Sequence, residues 1–159
     1  MADNAEFEIV DHSAEVIAAF NSQMDVALEA VGQQAEAHAK QVITDTLVYG
    51  GIDVTQFGEH DNSRVDTGAM RNSISHAVNG NAAYIGTNLD YAVYHELGTG
   101  VYASQPGGRK NVPWYYNGRD GKRHRTVGLY PIHFLKKAAS EHTDEYKKII
   151  ETVMKGGTP

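Results

Sequence analysis

A long amphipathic helix near the N-terminus constrains this chain more than any other part of the sequence. Between Ser13 and Thr46, apolar residues recur in steps of three and four, the spacing that lines one face of an α-helix. The stripe consists of Val16, Ile17, Phe20, Met24, Ala27, Leu28, Val31, Ala35, His38, Ala39, Val42 and Ile43. At 1.5 Å per residue such a helix is about 50 Å long. It outreaches the core of a small domain, so we expect part of the stripe to contact another subunit.

Composition predicts one globular domain over residues 1–159. The hydrophobic fraction of 41% and the charged fraction of 21% are ordinary for such a domain. No apolar run approaches the ~20 residues that a membrane span needs, and residues 1–12 form an acidic arm without the features of a signal peptide. The absence of cysteine excludes disulfides and thiolate metal sites. We therefore expect folding in a reducing cytoplasm and no membrane partner.

Charge divides the chain into an acidic and a basic part. Residues 1–63 contain twelve acids and the single base Lys40, a net −11, so residues 64–159 carry +5 of the total −6. Between residues 109 and 125, six bases stand against the single acid Asp120. Such polarity can orient subunits in an assembly or contact a polyanion, and it is equally compatible with two solvated faces.

The sequence Val65-Asp66-Thr67-Gly68-Ala69 admits two interpretations. Retroviral-type aspartic proteases present their catalytic Asp in an Asp-Thr-Gly-Ala segment, after an apolar strand, at a twofold axis where two carboxylates share a proton. Residues 59–64, however, are polar, and residues 69–74 are typical of a short helix. We therefore predict that Asp66 or Thr67, with Gly68, forms the N-terminal cap of that helix, and we assign no catalytic residue.

Short elements follow this segment. Residues 75–78 and 82–86 suit two antiparallel strands, and Asn79-Gly80-Asn81 between them is a strong signal for a hairpin turn. Asp90 is placed to cap a short helix over residues 91–97, which ends at Gly98. The predicted fold class is therefore α+β, a small antiparallel sheet packed against a long N-terminal helix and a C-terminal helix.

The glycine-rich insert over residues 98–128 predicts a protruding β-hairpin with an aromatic arm and a basic arm. Its candidate interface residues are Trp114, Tyr115, Tyr116, Arg119, Lys122, Arg123 and Arg125. Aromatic rings among Arg and Lys can stack on bases and pair with phosphates. They are also the usual anchors of protein interfaces. A third interpretation is that Trp114 closes the core while the charges keep an edge strand soluble.

The remaining segments complete the predicted organisation. Apolar residues at helical spacing predict one C-terminal helix over residues 131–155, with Pro131 at its entry and Gly156 at its end. The predicted segments are an acidic arm over 1–12, the long helix over 13–46, a polar connector over 47–64, a helix-hairpin-helix unit over 65–97, the hairpin insert over 98–128 and the C-terminal helix over 131–155.

No metal or cofactor site is predicted. His38 has no second histidine or carboxylate one turn away on its face, so we expect a partly buried histidine with one hydrogen bond. His142 is expected to be a core or interface residue. The pair His95-Glu96 resembles the start of a zinc-protease motif, but Thr99 stands where the second histidine would fall.

Several motifs in a fixed order resemble one protein family. They are the long N-terminal helix, the segment from Val65 to Ile74, a hairpin ending in Ile85-Gly86-Thr87, the segment from Tyr91-Ala92 to Glu96-Leu97-Gly98-Thr99-Gly100, and Phe134-Leu135 at the start of the last helix. Over residues 13–155 this order is similar to the tail-completion, or head–tail joining minor tail component, family of long-tailed double-stranded DNA bacteriophages and prophages. One departure is His133, where many members have proline.

The resemblance implies an α+β structural protein without catalytic residues. Members are thought to form a ring, with six subunits expected, at the end of the tail tube that meets the head connector. The implied partners are other copies of the chain, the tail tube or tail terminator protein and the head-closure proteins, and phage DNA passes through the ring. The implied location is the virion tail or neck, after assembly in the bacterial cytoplasm.

A subunit in such a ring needs two different complementary surfaces. The acidic helix and the basic hairpin are a candidate pair, and a channel in which DNA slides should avoid a dense basic lining. We therefore expect the hairpin to contact a neighbouring protein. The alternative is a nucleic-acid-binding module that uses the same hairpin, with affinity that falls steeply with salt.

Overall fold

The long N-terminal helix organises the fold. In the computed structural model, which describes residues 10–47, 68–117 and 121–158, the helices are α1 (Ser13–Leu47), α2 (Ala69–Asn72), α3 (Ala92–Leu97), α4 (Phe134–Glu141) and α5 (Thr143–Met154). The strands are β1 (Ile74–Asn79), β2 (Ala82–Thr87), β3 (Trp114–Asn117) and β4 (Arg123–Thr126). They form two separate two-stranded antiparallel sheets. The predicted α+β class is confirmed. Residues 1–9 of the predicted acidic arm and residues 48–64 of the predicted connector lie outside the described residues.

Helix α1 begins and extends as its periodicity predicts. The Asp11 carboxylate accepts the backbone N–H of Ser13 at 2.8 Å and so satisfies one free donor of the first turn. From Ala27 onward the stripe is buried or half-buried, with Ala39 and Ile43 fully inaccessible. Before that point it is open, and Val16 is 65% exposed. The helix therefore does extend past the core, as expected.

The core lies where α1 meets β1, α2 and α4, and α3 joins it through α4. It is formed by Ala39, Ile43, Met70, Ile74, Ala92, Ile132, Phe134 and Ala138. Among the described residues, Phe134 is the largest of the fully buried side chains. Helix α1 also packs along β2 and α5, so most elements of the fold contact this one helix.

The first hairpin is confirmed, with strands slightly longer than predicted. Its register pairs Ile74 with Thr87 and Asn79 with Ala82, and Gly80 has φ 58° in the turn. Helix α2 ends at Asn72, two residues earlier than predicted. The reason is that Ile74 is buried at the start of β1, and a buried strand residue cannot also continue a helix.

Two other helix predictions are wrong. Tyr91, not Asp90, occupies the N-cap position of α3, and no side-chain cap bond is made there. The single C-terminal helix is interrupted at His142, whose φ of −115° and ψ of 20° are not helical. Across this break the Tyr146 hydroxyl donates to the carbonyl oxygen of Ala138 at 2.5 Å. A side chain of α5 thus bonds the last turn of α4, which holds the bend in place.

Candidate functional site

The second hairpin separates its candidate interface residues onto two faces. Directly opposed residues of antiparallel strands share a face, and the register pairs Tyr115 with Arg125 and Tyr116 with His124. Tyr115, Arg123 and Arg125 therefore lie on one face, and all three are exposed. Together they form what we call the aromatic–basic face.

Two arginines give the aromatic–basic face its positive charge. The Arg123 guanidinium lies over the Tyr115 ring, 4.3 Å from its centroid, which is a cation–π arrangement. Among the described residues, neither Arg123 nor Arg125 forms an ion pair with a carboxylate. Lys122, beside them, is also exposed, and Arg119 lies outside the described residues. The face is thus suited to an acidic partner.

The opposite face of the hairpin turns toward α3. Trp114 is half-buried, and the Arg109 guanidinium lies 5.0 Å from the centroid of its ring. Trp114 also lines an open cavity of about 620 Å³, together with Val93, Tyr94 and the glycine-rich segment over 98–108. It does not belong to the core cluster, so the interpretation that Trp114 closes the core is not supported. Tyr116 stacks on His124 with 5.4 Å between ring centroids.

A second exposed surface is the free end of α1. We call residues 13–26 the α1 overhang. Its apolar side chains Val16, Ile17, Phe20 and Val26 are each at least half exposed. The only charged side chains in it are acidic, Glu15 and Asp25, and no Lys or Arg precedes Lys40. The overhang is therefore an apolar stripe within an acidic surface.

The segment that suggested a protease contributes a turn. Gly68 occupies the N-cap position of α2 with φ 68°, a left-handed conformation that glycine adopts without strain. Its carbonyl oxygen accepts the N–H of Asn72 at 2.9 Å. Asp66 and Thr67 lie outside the described residues, so their predicted capping role stays a prediction.

The Glu96-Leu97-Gly98-Thr99-Gly100 motif is architectural. The Glu96 carboxylate accepts the N–H groups of Leu135 and Lys136, at 2.9 and 3.1 Å, and so caps α4. Thr99 exchanges two hydrogen bonds with Leu129, one through each of its backbone N–H and its hydroxyl. The motif thereby fastens the residues after β4 to the start of α4. Sequence reasoning missed this cap because it comes from a residue 39 positions away.

The signal that could have indicated the Glu96 cap is the histidine at the N-cap position of α4, where a capping residue such as Ser, Thr, Asp or Asn is usual. His133, the N-cap residue of α4, makes no side-chain cap bond and has φ 54°, an unusual value for a residue with a side chain. Free N–H groups of a first helical turn need acceptors from elsewhere. Proline, whose φ is fixed near −65°, could not adopt this backbone.

A bridging histidine ties β1 to α1. His76 Nδ1 lies 2.6 Å from a carboxylate oxygen of Glu36, and its Nε2 lies 3.0 Å from one of Glu29. These two hydrogen bonds, the one to Glu36 contributing most, raise the pKa of His76 above its ordinary value. The Lys40 ammonium and then His76 lower the pKa of Glu36. The ring rests against Gly32, where an added Cβ would come within 2.6 Å of it.

This bridge predicts a pH-dependent stability. Because the folded pKa of His76 is raised, its contribution is fully present below the unfolded pKa near 6.5 and is lost as pH rises through the folded pKa. We expect His76→Asn to lower the free energy of unfolding by about 1–2 kcal/mol at pH 6 and by clearly less at pH 9. Urea unfolding of both proteins at the two pH values measures the difference. His12→Asn, at an exposed histidine, controls for the loss of one titrating side chain; an equal loss at both pH values would contradict the bridge.

His38 has more partners than predicted. Its Nδ1 lies 3.0 Å from the Tyr146 hydroxyl, and its Nε2 lies 3.3 Å from the Gln34 amide and 3.4 Å from a Glu145 carboxylate oxygen. The prediction of a single hydrogen bond is wrong because α5 brings its side chains onto the α1 face. His38, His142 and Glu145 offer ligand atoms within 4.8 Å of one another and are the one group of described residues able to hold a metal in this way.

Similarity to known proteins gives no independent assignment of these surfaces. No helix among the described residues has the length and hydropathy that crossing a membrane requires. A search of protein-family models, of curated proteins and of solved structures found no significant match to this chain.

Proposed function

We propose that this protein is a structural subunit of a bacteriophage tail-completion ring, which joins tail to head and leaves a passage for DNA. The observation that carries the proposal is the pair of unlike exposed surfaces, the α1 overhang and the aromatic–basic face. The order of sequence motifs supports the same role. The proposal assigns no enzymatic activity and no cofactor.

The α1 overhang supplies the hydrophobic part of the contact. Val16, Ile17 and Phe20 are more than half exposed and lie on one helical face. Burying apolar surface stabilises association by roughly 25 cal/mol per Å² before the costs of association. A neighbouring subunit that covers this stripe would also explain why the helix continues beyond its own core.

The aromatic–basic face supplies the complementary charge. Tyrosine and arginine are frequent anchors of protein interfaces. Here Arg123 and Arg125 lack carboxylate partners in the described part of the chain. The overhang contains Glu15 and Asp25 and no base. Contact between the overhang of one subunit and the hairpin of the next is heterologous, and such contacts form a ring when the rotation from one subunit to the next closes on itself.

The nucleic-acid alternative is less well supported by the same geometry. Arg123 covers one side of the Tyr115 ring, which removes a surface on which a base would stack. Tyr116 is likewise stacked on His124. The net charge of −6 opposes binding to a polyanion. Binding of the isolated protein to single-stranded DNA, weakening steeply with salt, would favour the alternative.

Charge reversal on the hairpin tests the proposal. We expect a variant with Arg119, Lys122, Arg123 and Arg125 all changed to Glu to lose self-association by at least tenfold, and to block joining of tails to heads when it replaces the chain in its phage. Sedimentation velocity and the yield of infectious particles measure the two effects. Reversal of four exposed lysines outside the hairpin, Lys136, Lys147, Lys148 and Lys155, is the matched control for net charge. Infectious particles in normal yield from the hairpin variant would overturn the proposal.

A further inference from the structure

Three potential metal ligands meet where α1 contacts the junction of α4 and α5. His38 belongs to α1, His142 forms the break between α4 and α5, and Glu145 lies in the first turn of α5. One oxygen of Glu145 lies 3.4 Å from His38 Nε2 and 3.5 Å from His142 Nδ1. Residues far apart in the sequence thus meet in one small group of side chains.

Hydrogen bonding fixes which nitrogen of His38 can bind a metal, in exchange for the hydrogen bond that it accepts from the Gln34 amide. Tyr146 donates its only proton to the carbonyl oxygen of Ala138, so its oxygen must accept from His38 Nδ1. In the neutral ring, Nε2 then carries the lone pair, consistent with the Gln34 amide donating to it at 3.3 Å. A ligating histidine whose other nitrogen is held by a protein group is the usual arrangement in metal sites.

The lone pair of His38 Nε2 faces a carboxylate oxygen. Two acceptors 3.4 Å apart repel each other unless a cation or a proton lies between them. Burial is the main cause that lowers the pKa of His38, with the neighbouring His142 acting in the same direction and Glu145 opposing it. A divalent cation between His38 Nε2 and the Glu145 oxygen removes the repulsion and is bound by both atoms.

Two separations between donor atoms, both from Glu145, are close to those around a tetrahedral ion. Zn²⁺ binds imidazole nitrogen and carboxylate oxygen at about 2.0–2.2 Å, which places neighbouring ligands of a tetrahedron roughly 3.3 Å apart. The two measured separations from Glu145 are close to that value. The His38 and His142 rings are stacked, with centroids 3.4 Å apart and planes inclined by 16°, so binding requires the His142 ring to turn out of the stack.

We propose that His38 Nε2, His142 Nδ1 and the Glu145 carboxylate form a binding site for a divalent transition metal of the Zn²⁺ type. Such an ion joins α1 to the α4–α5 junction. Its fourth position is left for water or for a ligand from a neighbouring subunit. Two imidazoles and one carboxylate suit zinc and its neighbours and not Mg²⁺ or Ca²⁺, which prefer oxygen ligands.

Zinc titration of the full chain tests the site. After treatment with a chelator, isothermal titration calorimetry with ZnCl₂ at pH 7.5 should show one ion per chain with a dissociation constant in the micromolar range or below, and zinc should raise the melting temperature by several degrees. MgCl₂ should give neither effect. Absence of zinc binding in the wild-type chain would overturn the proposal.

Substitutions locate the ion. His142→Gln and Glu145→Gln should each weaken zinc binding at least tenfold, and Co²⁺ absorption should lose its tetrahedral bands in both. His12 and Glu15 have the same spacing as His142 and Glu145 but no second histidine beside them among the described residues, so His12→Gln is the matched control. Circular dichroism without metal verifies that each variant folds. If His142→Gln does not fold, Glu145→Gln, at the most exposed of the three ligands, tests the site. Wild-type binding in Glu145→Gln, or binding lost in His12→Gln, would refute the site.

Discussion

Replacing Phe134 by alanine is expected to lower the free energy of unfolding by about 3–5 kcal/mol. Phe134 is fully inaccessible and lies in the core between α1 and the start of α4. Removing its ring forfeits the transfer free energy of the side chain and leaves a cavity that the rigid neighbours fill only in part. Such a loss is a large fraction of the stability of a small domain.

The same substitution at Phe20 is the matched control. Phe20 lies in the α1 overhang and is 51% exposed, so Phe20→Ala should change the free energy of unfolding of dilute protein by less than about 1 kcal/mol. It should instead weaken self-association. Urea unfolding at micromolar protein concentration compares the two variants; equal losses of stability would show that the overhang packs on its own core.

Replacing Gly100 by alanine is the second change with a large expected effect. Gly100 has φ 60°, and an added Cβ would come within 2.0 Å of the carbonyl oxygen of Val127. Val101 also donates its N–H to that oxygen at 3.1 Å. The two backbone segments are therefore held in contact, and moving them apart would break this hydrogen bond. We expect a loss of at least 3 kcal/mol, the scale of overpacking combined with backbone strain.

A glycine with the same backbone conformation separates strain from collision. Gly80 has φ 58°, and an added Cβ there would meet nothing within 4 Å. Gly80→Ala should therefore cost only the 1–2 kcal/mol of a left-handed residue. Thermal unfolding of both variants measures the difference. If Gly100→Ala lowered the stability no more than Gly80→Ala does, the close backbone contact between the Glu96–Gly100 motif and the residues after β4 would be contradicted.

Local patterns explain why part of this fold could be predicted. The period of the α1 stripe and the Asn79-Gly80 turn act within a few residues, so each specifies its element without knowledge of the rest. The alternation of Tyr115 with its neighbours likewise predicts a strand, although the separation of the hairpin into two faces required the pairing register.

Contacts over long sequence separations explain what could not be predicted. Apolar spacing continues through His142, and the helix breaks there because Tyr146 bonds back to Ala138 and His142 stacks on His38. The cap from Glu96 and the bridge of His76 depend on the same kind of distant partner. The spacing of apolar residues shows which face of a helix is buried, but not which other helix packs against that face.

The most direct test of the proposed ring mixes two variants that each lack one surface. Val16→Asp with Phe20→Asp removes the overhang contact, and Arg123→Glu with Arg125→Glu removes the hairpin contact. Each variant alone should be monomeric in native mass spectrometry, while the wild type forms closed oligomers. A mixture retains one intact overhang and one intact hairpin, so it should form heterodimers and nothing larger. Closed oligomers from either variant alone, or no heterodimer in the mixture, would contradict the head-to-tail contact on which the account depends.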